Sequence, residues 1–191
     1  EAEETLVKSK QCFYAAKKIL DFFKDKAQKD SIGLYYNAYN YNDGAVHEKR
    51  ADAGPSLWIG IAMAHYTEAK GGTDYDASMK GIADAILKLQ VTTPGLKRTG
   101  AIRQCENYGS SGSNAEEIKY ITEYKNSVST EHNMDAFIFL EYMSGRFSGV
   151  TSYSHARDTI REWLRTYAFQ GGKFISGIRP IVFLTDPSTP I

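Results

Sequence analysis

The sequence predicts an all-α domain in which amphipathic outer helices alternate with inner helices that are apolar on every side. Five segments have apolar residues at helical spacing, and two of them are apolar all round, which is typical of buried helices. The chain also repeats: Tyr75 and Tyr153 stand 78 positions apart, and the same shift lays Ile82 on Ile160. Repeated helix pairs that cannot bury their own faces stack on their neighbours. The simplest closed arrangement is a ring of inner helices wrapped by outer ones.

Length and composition indicate one domain spanning residues 1–191. Apolar residues make up 42% of the chain and charged residues 24%, and the formal net charge is zero. Because there is no basic excess, we expect no nucleic-acid partner. No apolar run reaches the length of a membrane span, and Cys12 and Cys105 match no metal spacing. We therefore expect no membrane span, no metal, no cofactor and two free, buried thiols.

The start of the chain bears on its location. It begins at Glu1 without a methionine or a signal sequence. Either a leader was removed or the numbering begins inside a longer chain. We expect a secreted or periplasmic location and leave a cytoplasmic one open.

The first two helices frame a polar, aromatic loop. Residues 3–28 form an amphipathic outer helix, which the stretch after Ser31 breaks. Residues 33–54 form a long loop with a short hairpin, in which Tyr35 and Tyr36 are candidates for binding a hydroxyl-rich ligand. The inner helix that follows begins at Asp52 and ends at Gly71-Gly72. Its apolar residues 58–64, which include Trp58, are predicted to be buried, and Asp52 either caps the helix or belongs to a site.

The rest of the chain continues the alternation. Residues 76–90 form an amphipathic outer helix, and residues 91–128 form a long connection with a short strand at 100–105. The Gly-rich stretch 108–113 lacks the lysine of a phosphate loop and is interpreted as a mobile loop over the cleft. A buried inner helix spans 130–144, with residues 137–140 in the core, and an outer helix spans 153–169. The tail from Gly171 to Ile191 shows no helical pattern.

The first turn of the second inner helix carries the main candidate site. Glu131, His132, Asn133 and Asp135 begin a helix that is otherwise apolar. Glu131 and Asp135 stand four residues apart, so their side chains share one face. Burying two carboxylates without partners is unfavourable, which favours a functional role. The alternative is structural: Glu131 caps the helix, Asp135 bonds nearby backbone, and His132 and Asn133 are packing or polar-network residues.

Several stretches resemble the six-hairpin α/α toroid of many carbohydrate-active proteins. They are Ala53-Gly-Pro-Ser-Leu-Trp-Ile-Gly-Ile-Ala, residues 75–90, Gly100-Ala-Ile-Arg and Ser129-Thr-Glu-His-Asn-Met-Asp-Ala. The last stretch is similar to the Thr-Glu-His-Asn-x-Asp element of bacterial six-hairpin glycosidase-like proteins. Its setting is also similar to that of sugar 2-epimerases, which place a histidine and a glutamate on an inner helix. A full toroid has about twelve helices and this chain supplies roughly five, so a second copy or a missing C-terminal half would complete the ring.

The resemblance implies a partial (α/α)6 toroid that acts on an oligosaccharide or polysaccharide in a central cleft. In a glycoside hydrolase, Glu131 and Asp135 are the candidate catalytic carboxylates, with a partner from Asp52, Glu106 or the missing half. In a 2-epimerase-like isomerase, His132 is the general base. The third alternative is a non-catalytic glycan-binding domain. The candidate substrate-binding residues are Asn133, Trp58, Asp52, Tyr35, Tyr36 and Arg103.

Overall fold

Alternating helices account for most of the part of the chain that the computed structural model describes, which is the backbone of residues 2–180 and the side chains of residues 10–180. The helices are α1 (Ala2–Asp25), α2 (Ala53–Lys70), α3 (Asp76–Lys88), α4 (Ala115–Asn126), α5 (Thr130–Arg146) and α6 (Thr151–Trp163), which runs into a π-helical turn (Leu164–Ala168). Three short antiparallel pairs join β1 (Ala38–Tyr39) to β2 (Val46–Glu48), β3 (Val128–Ser129) to β6 (Gly177–Ile178), and β4 (Phe169–Gln170) to β5 (Lys173–Phe174). Within the described residues, no helix is long and apolar enough to cross a bilayer.

The inner helices α2 and α5 pack against each other, and α1, α3 and α6 pack outside them. Glycine allows the close approach of the two inner helices. A Cβ atom at Gly60 of α2 would lie 2.8 Å from the ring of Phe139 of α5, which is fully buried. One hydrophobic core runs from Leu20 of α1 to Ile160 of α6. The predicted all-α fold of alternating inner and outer helices is therefore confirmed.

The internal repeat has a structural counterpart in the outer helices. The Tyr75 hydroxyl donates a hydrogen bond to Asp21 Oδ1 of α1, at 2.9 Å. The Tyr153 hydroxyl donates in the same way to Asp84 Oδ1 of α3, also at 2.9 Å. Both tyrosines stand at the start of an outer helix and are almost fully buried. Each outer helix is thus tied to the preceding one by the same kind of bond.

The inner helices are not buried on every side, and the prediction that residues 58–64 and 137–140 are buried throughout is wrong: three positions are exposed, and Ile59, Ile61 and Phe137 are only partly buried. Trp58 is 58% exposed, Ile138 is 54% exposed, and Ala62 is exposed. The reason is that the helices form an arc and not a closed ring. Each of α2 and α5 therefore has another inner helix on one side only, and its other side has no neighbouring inner helix. The side chains on these sides lie at the two edges of the arc.

Each edge of the arc carries an apolar groove. The groove between α1 and α2, here called the α1/α2 groove, has a volume of about 750 Å³, and its lining includes Phe13, Ile19, Trp58, Ile61, Ala62 and His65. At the other edge, a groove of about 350 Å³ is lined by Phe137, Arg161, Leu164, Arg165, Phe169 and Phe174. Both grooves expose apolar side chains of a kind that a soluble protein normally covers.

The connection 91–128 holds a helix that the sequence analysis did not predict. Asn114 caps α4 by accepting a hydrogen bond from the Glu117 N–H, and Glu117 in turn accepts from the Ser113 N–H. An asparagine followed three residues later by a glutamate is a signature of a helix start. The predicted strand at 100–105 is wrong too, because this stretch makes only isolated bridges, between Gln90 and Ile102 and between Asp52 and Cys105.

Other local predictions had mixed outcomes. The hairpin expected within residues 33–54 is confirmed as β1–β2. Cys105 is buried, as expected, but Cys12 is exposed on α1, and neither forms a disulfide. Within the Gly-rich stretch 108–113, Gly109 lies against the backbone of Lys49, where an added Cβ would be 2.5 Å from the carbonyl oxygen. The tail from Gly171, in which no helix was predicted, contains β5 and β6, and its residues 181–191 lie outside the described part.

Candidate functional site

The N-terminal ends of α2 and α5 lie side by side, and His132 of α5 rests on the first turn of α2. A Cβ atom at Gly54 would collide with Nε2 and the neighbouring ring carbons of His132. Glycine at this position therefore lets the imidazole lie directly on the backbone of α2. The N-terminus of a helix also carries partial positive charge, which favours anions and acceptor atoms there.

His132 is partly buried, and its Nδ1 atom has no hydrogen-bond partner among the described residues. Burial lowers the pKa of His132, because desolvation disfavours the charged imidazolium. The carboxylates of Asp52 and then Glu131 act in the opposite direction and raise it. The side chain is thus a partly buried imidazole with two carboxylates close enough to influence its charge.

Asp52 occupies the N-cap position of α2, yet its carboxylate makes no capping hydrogen bond to the helix. Instead, Oδ2 accepts hydrogen bonds from Asn37 Nδ2 at 2.8 Å and from the Tyr124 hydroxyl at 3.0 Å. Arg50 Nε forms an ion pair with the same oxygen at 3.1 Å. The other oxygen, Oδ1, is buried and has no hydrogen-bond partner in the described part of the chain. Three separate segments therefore hold one oxygen of Asp52 in place.

A second layer of side chains surrounds this carboxylate. The Arg50 guanidinium lies over the rings of Tyr108 and Tyr124, at 5.7 and 5.4 Å from the ring centres. Gln104 Nε2 donates a hydrogen bond to the Tyr124 hydroxyl at 3.1 Å. Burial, followed by the nearby Asp52 carboxylate, raises the pKa of the Cys105 thiol to about 12. Cys105 is therefore a protonated, unreactive thiol at neutral pH.

Glu131 and Asp135 line a different part of the surface from His132. They face a pocket of about 510 Å³ that is also lined by Ser129, Thr130, Met134, Ile138, Ile175 and Ser176. Glu131 is exposed, whereas Asp135 is 8% exposed and its Oδ2 atom has no hydrogen-bond donor among the described residues. Burial, and to a lesser extent the charge of Glu131, raise the pKa of Asp135. The structure thus separates the predicted cluster into a histidine that packs against α2 and two carboxylates in a pocket next to the residues that precede β6.

Asn133 holds the loop before α4 in place. It is fully buried, and its Oδ1 accepts a hydrogen bond from the Ile102 N–H at 2.7 Å. Its Nδ2 donates to the carbonyls of Ile102 and Ser129. The bonds to Ile102 and Ser129 give Asn133 a structural role, and the substrate contact suggested by the sequence is not supported. On α2, Ser56 has a similar structural role, because it accepts a hydrogen bond from the Tyr35 N–H at 2.9 Å.

The remaining predicted binding residues have contacts elsewhere. Tyr35 is fully buried and donates its hydroxyl to the Phe23 carbonyl at 2.7 Å, so the sequence-based suggestion of a sugar contact is not supported. The N–H of Tyr36, which is partly buried, donates to the Tyr39 hydroxyl. Trp58 lines the α1/α2 groove, and Arg103 pairs with Glu106 at 2.7 Å. None of these described contacts reaches Asp52 or His132.

Sequence reasoning missed most of the residues around Asp52. Asn37, Arg50, Gln104 and Tyr124 come from loops and from α4, and no spacing in the sequence links them. The available signal was the helix-start pattern at Asn114, which would have placed Tyr124 on a helix. No group of three or more histidine, cysteine, aspartate or glutamate side chains in the described residues could hold a metal ion.

No protein-family model matches the chain, and no curated protein matches it by sequence. Solved structures do match it. A cellobiose 2-epimerase from Bacillus thermoamylovorans B4167 superimposes with a TM-score of 0.68 and 13% identity, over 88% of this chain and 40% of the epimerase chain. A family 10 polysaccharide lyase from Cellvibrio cellulosa gives a TM-score of 0.47 and 14% identity, over 83% of this chain and 52% of the lyase.

The match to the epimerase shows the fold. At 13% identity the likeness is one of architecture, and this chain spans less than half of the epimerase's length. The alternating inner and outer helices of α1 to α6 correspond to an arc of that ring. The chain is therefore a partial α/α toroid.

Proposed function

We propose that this chain is part of a carbohydrate-active protein that binds a sugar at the N-terminal ends of α2 and α5. In this proposal, His132 is the general base for proton transfer at the sugar carbon next to a carbonyl group, as in a 2-epimerisation. The observation that supports it is the partly buried imidazole of His132, which lies on Gly54 and whose charge is influenced by Asp52 and Glu131. The cellobiose 2-epimerase with the same architecture supports the same class of substrate.

The proposed step uses the neutral imidazole. His132 takes the proton from C2 of the open-chain reducing sugar, and the electron pair of that bond moves into the carbonyl to give an enediolate. Return of a proton to the opposite face of C2 gives the epimer. A low pKa keeps the imidazole neutral and able to accept a proton at neutral pH. In this proposal the returning proton comes from water, and His132 releases its own proton to water to complete the cycle.

A second candidate function is glycoside hydrolysis, and the environment of Asp135 favours it. A general acid must be protonated when it meets the glycosidic oxygen. Burial raises the pKa of Asp135, and the side chain lines a pocket together with Glu131. Asp52 is less suitable for this chemistry, because Asn37, Tyr124 and Arg50 already occupy one of its oxygens.

Deuterium exchange tests the first proposal directly. The full chain is incubated in deuterated water with cellobiose, other neutral disaccharides and reducing monosaccharides, and the C2 position of each sugar is followed by NMR. We expect deuterium to enter C2 of at least one sugar. His132→Gln is expected to slow this exchange by about a hundredfold or more, since it removes the base. His155→Gln, at an exposed histidine of α6, is the matched control and retains the exchange.

The same reactions separate the two candidates. If new reducing ends form without exchange at C2, and both Glu131→Gln and Asp135→Asn abolish their formation, the hydrolase replaces the isomerase proposal. A sugar that binds without either change would support a glycan-binding domain. Exchange that survives in His132→Gln would remove His132 from the proposed role.

A further inference from the structure

We propose that the pocket lined by Glu131 and Asp135 binds a primary ammonium group carried on a short aliphatic stem. This pocket at the start of α5, here called the α5 pocket, has a volume of about 510 Å³. Its size is within the range of sites that bind small molecules. The inference uses no property of His132 and is independent of the proposed proton transfer.

The first observation is that the two carboxylates of the α5 pocket have no cationic partner. Among the described residues, the side chains of Glu131 and Asp135 form no ion pair and accept no hydrogen bond. The neighbouring charge that acts on Asp135 is that of Glu131, which has the same sign. Nearby on α4, by contrast, Glu123 pairs with Arg179 at 3.2 Å. Two negative side chains without a counter-charge favour a cation in the pocket that they share.

The second observation is a pair of deeply buried acceptor atoms. Asp135 is 8% exposed and Thr130 is 4% exposed, and both residues line the α5 pocket. Asp135 Oδ2 and Thr130 Oγ1 have no hydrogen-bond partner in the described part of the chain. A buried acceptor without a donor is unfavourable, so both atoms favour a ligand that donates hydrogen bonds. Both atoms are covered by protein, so the inference includes a rotation of these side chains toward the ligand.

The acceptors of the α5 pocket match the donors of an ammonium group. Such a group has three N–H donors, no acceptor and a positive charge, and the pocket offers two carboxylates and one hydroxyl. A neutral hydroxyl ligand would supply donors but would leave both negative charges uncompensated. A metal ion fits less well, because the described residues contain no group of three or more histidine, cysteine, aspartate or glutamate side chains that could hold one.

The apolar wall of the α5 pocket indicates what carries the ammonium group. Met134 and Ile138 are 41% and 54% exposed, and Ile175 is partly buried beside them. Glu131 and Asp135 lie three or four positions from Met134 and Ile138 along α5, so the charged and apolar side chains share one face of the helix. A bare ammonium ion would leave the apolar side chains in water, whereas an aliphatic stem would cover them.

The test is an NMR titration of the full chain, with the isoleucine methyl groups labelled. The signals of Ile138 and Ile175 report on the α5 pocket. The probes are n-butylammonium chloride, n-butanol with the same stem but no charge, and ammonium chloride with the charge but no stem, all at one ionic strength. We expect n-butylammonium to bind about tenfold or more tightly than either control probe. If n-butanol binds as tightly, the pocket is merely an apolar cleft and the inference is wrong.

Variants locate the binding. Asp135→Asn and Glu131→Gln are each expected to weaken binding of n-butylammonium about tenfold and to leave that of n-butanol unchanged. Glu116→Gln, at an exposed carboxylate in the first turn of α4, is the matched control and leaves both unchanged. Glu131 is exposed, so its replacement is not expected to disturb folding. If neither pocket variant weakens binding more than Glu116→Gln does, the inference is overturned.

Two further probes identify the ligand more closely. If calcium chloride shifts the signals of Ile138 and Ile175 and n-butylammonium does not, the α5 pocket is a metal site and the inference is wrong. Nα-acetyl-lysine amide carries the same charged group and stem as n-butylammonium. Tighter binding of this lysine derivative supports a lysine side chain as the source of the ammonium group, and weaker binding supports a free amine.

These titrations need no sugar and no turnover, so they are separate from the deuterium exchange. Binding of n-butylammonium without exchange at C2 of any sugar would retain the ammonium site and reject only the proposed reaction. Exchange at C2 without any binding of n-butylammonium would reject the ammonium site and retain the reaction.

Discussion

Asp135 lies in an environment that is unfavourable for its ordinary negative charge. It is 8% exposed, and its Oδ2 atom finds no donor among the described side chains and backbone groups. Most buried carboxylates have such partners. Because burial raises its pKa in the folded state, folding is less favourable when the group is ionised than when it is protonated. An unfavourable group kept at the rim of a pocket is typical of a functional position.

We predict that Asp135→Asn stabilises the protein at neutral pH by about 1 kcal/mol, because it removes a buried charge and keeps the shape. The folded-state pKa lies above the unfolded one, so the folded state binds more protons between these two values. Stability of the wild type should therefore fall relative to Asp135→Asn as pH rises through that window, and stay lower above it. Urea denaturation at several pH values measures this difference.

Glu131→Gln is the control for this prediction. The side chain is exposed, so its replacement is expected to change the free energy of unfolding by less than about 0.5 kcal/mol. If Asp135→Asn proves less stable than the wild type at neutral pH, the carboxylate of Asp135 has a partner that stabilises it. That result would favour a structural role for Asp135.

Among the elements, the contact between α2 and α5 decides the geometry of the site. Gly54 lies against the imidazole of His132 and Gly60 against the ring of Phe139, so two glycines on α2 set how closely the helices approach. Glycine inside a helix is less favourable than alanine by roughly 1 kcal/mol. The packing that these two positions permit must therefore offset their low helix propensity.

We predict that Gly60→Ala destabilises the protein by about 1–3 kcal/mol, because the new methyl group would lie 2.8 Å from the Phe139 ring in a full core. Gly145→Ala is the matched control on α5. Its added Cβ meets no atom within 4 Å, so the gain in helix propensity is expected to raise stability by about 0.5–1 kcal/mol. Thermal or urea unfolding of both variants tests the prediction, which fails if Gly60→Ala is as stable as Gly145→Ala.

Sequence patterns predicted the elements better than they predicted the site. The starts of α2 and α5 were predictable because capping residues and a change to apolar periodicity mark them locally. The surroundings of Asp52 were not, because its partners Asn37 and Tyr124 lie 15 and 72 positions away along the chain. The helix α4 was missed because its single buried residue, Ile121, leaves little apolar periodicity to detect. Glu131 and His132 were correctly placed on one turn, but only the fold shows that His132 packs on α2.

For the whole molecule, the exposed edges of the arc are the main physical consequence of the fold. Trp58 and Ile19 expose more than half of their surfaces at the α1/α2 groove, and Ile138 does so on α5. Exposed apolar surface of this kind favours association. The sequence led to the expectation of a dimer, or of further helices that complete the ring, and both remain predictions.

We predict that this chain self-associates at high concentration and that Trp58→Lys weakens the association at least tenfold, because it places a charge in the α1/α2 groove. Sedimentation velocity over a range of concentrations measures the effect. Tyr41→Lys is the matched control, since Tyr41 is 99% exposed in the turn between β1 and β2 and lies outside the grooves. If the wild-type chain stays monomeric over the whole concentration range, the prediction is wrong and the exposed apolar edges do not drive association.

The paired tyrosine–aspartate bonds have a consequence for how the molecule loses its structure. Tyr75 bonds Asp21 and Tyr153 bonds Asp84, so each link joins one outer helix to the one before it and to no other. In arrays where units contact only their neighbours, cooperativity is limited to adjacent units. Opening can then begin at a terminal unit and spread inward, rather than involve every helix at once. We expect the arc to behave as a short chain of coupled segments, in which α1 can detach while α2 and α5 still hold the site.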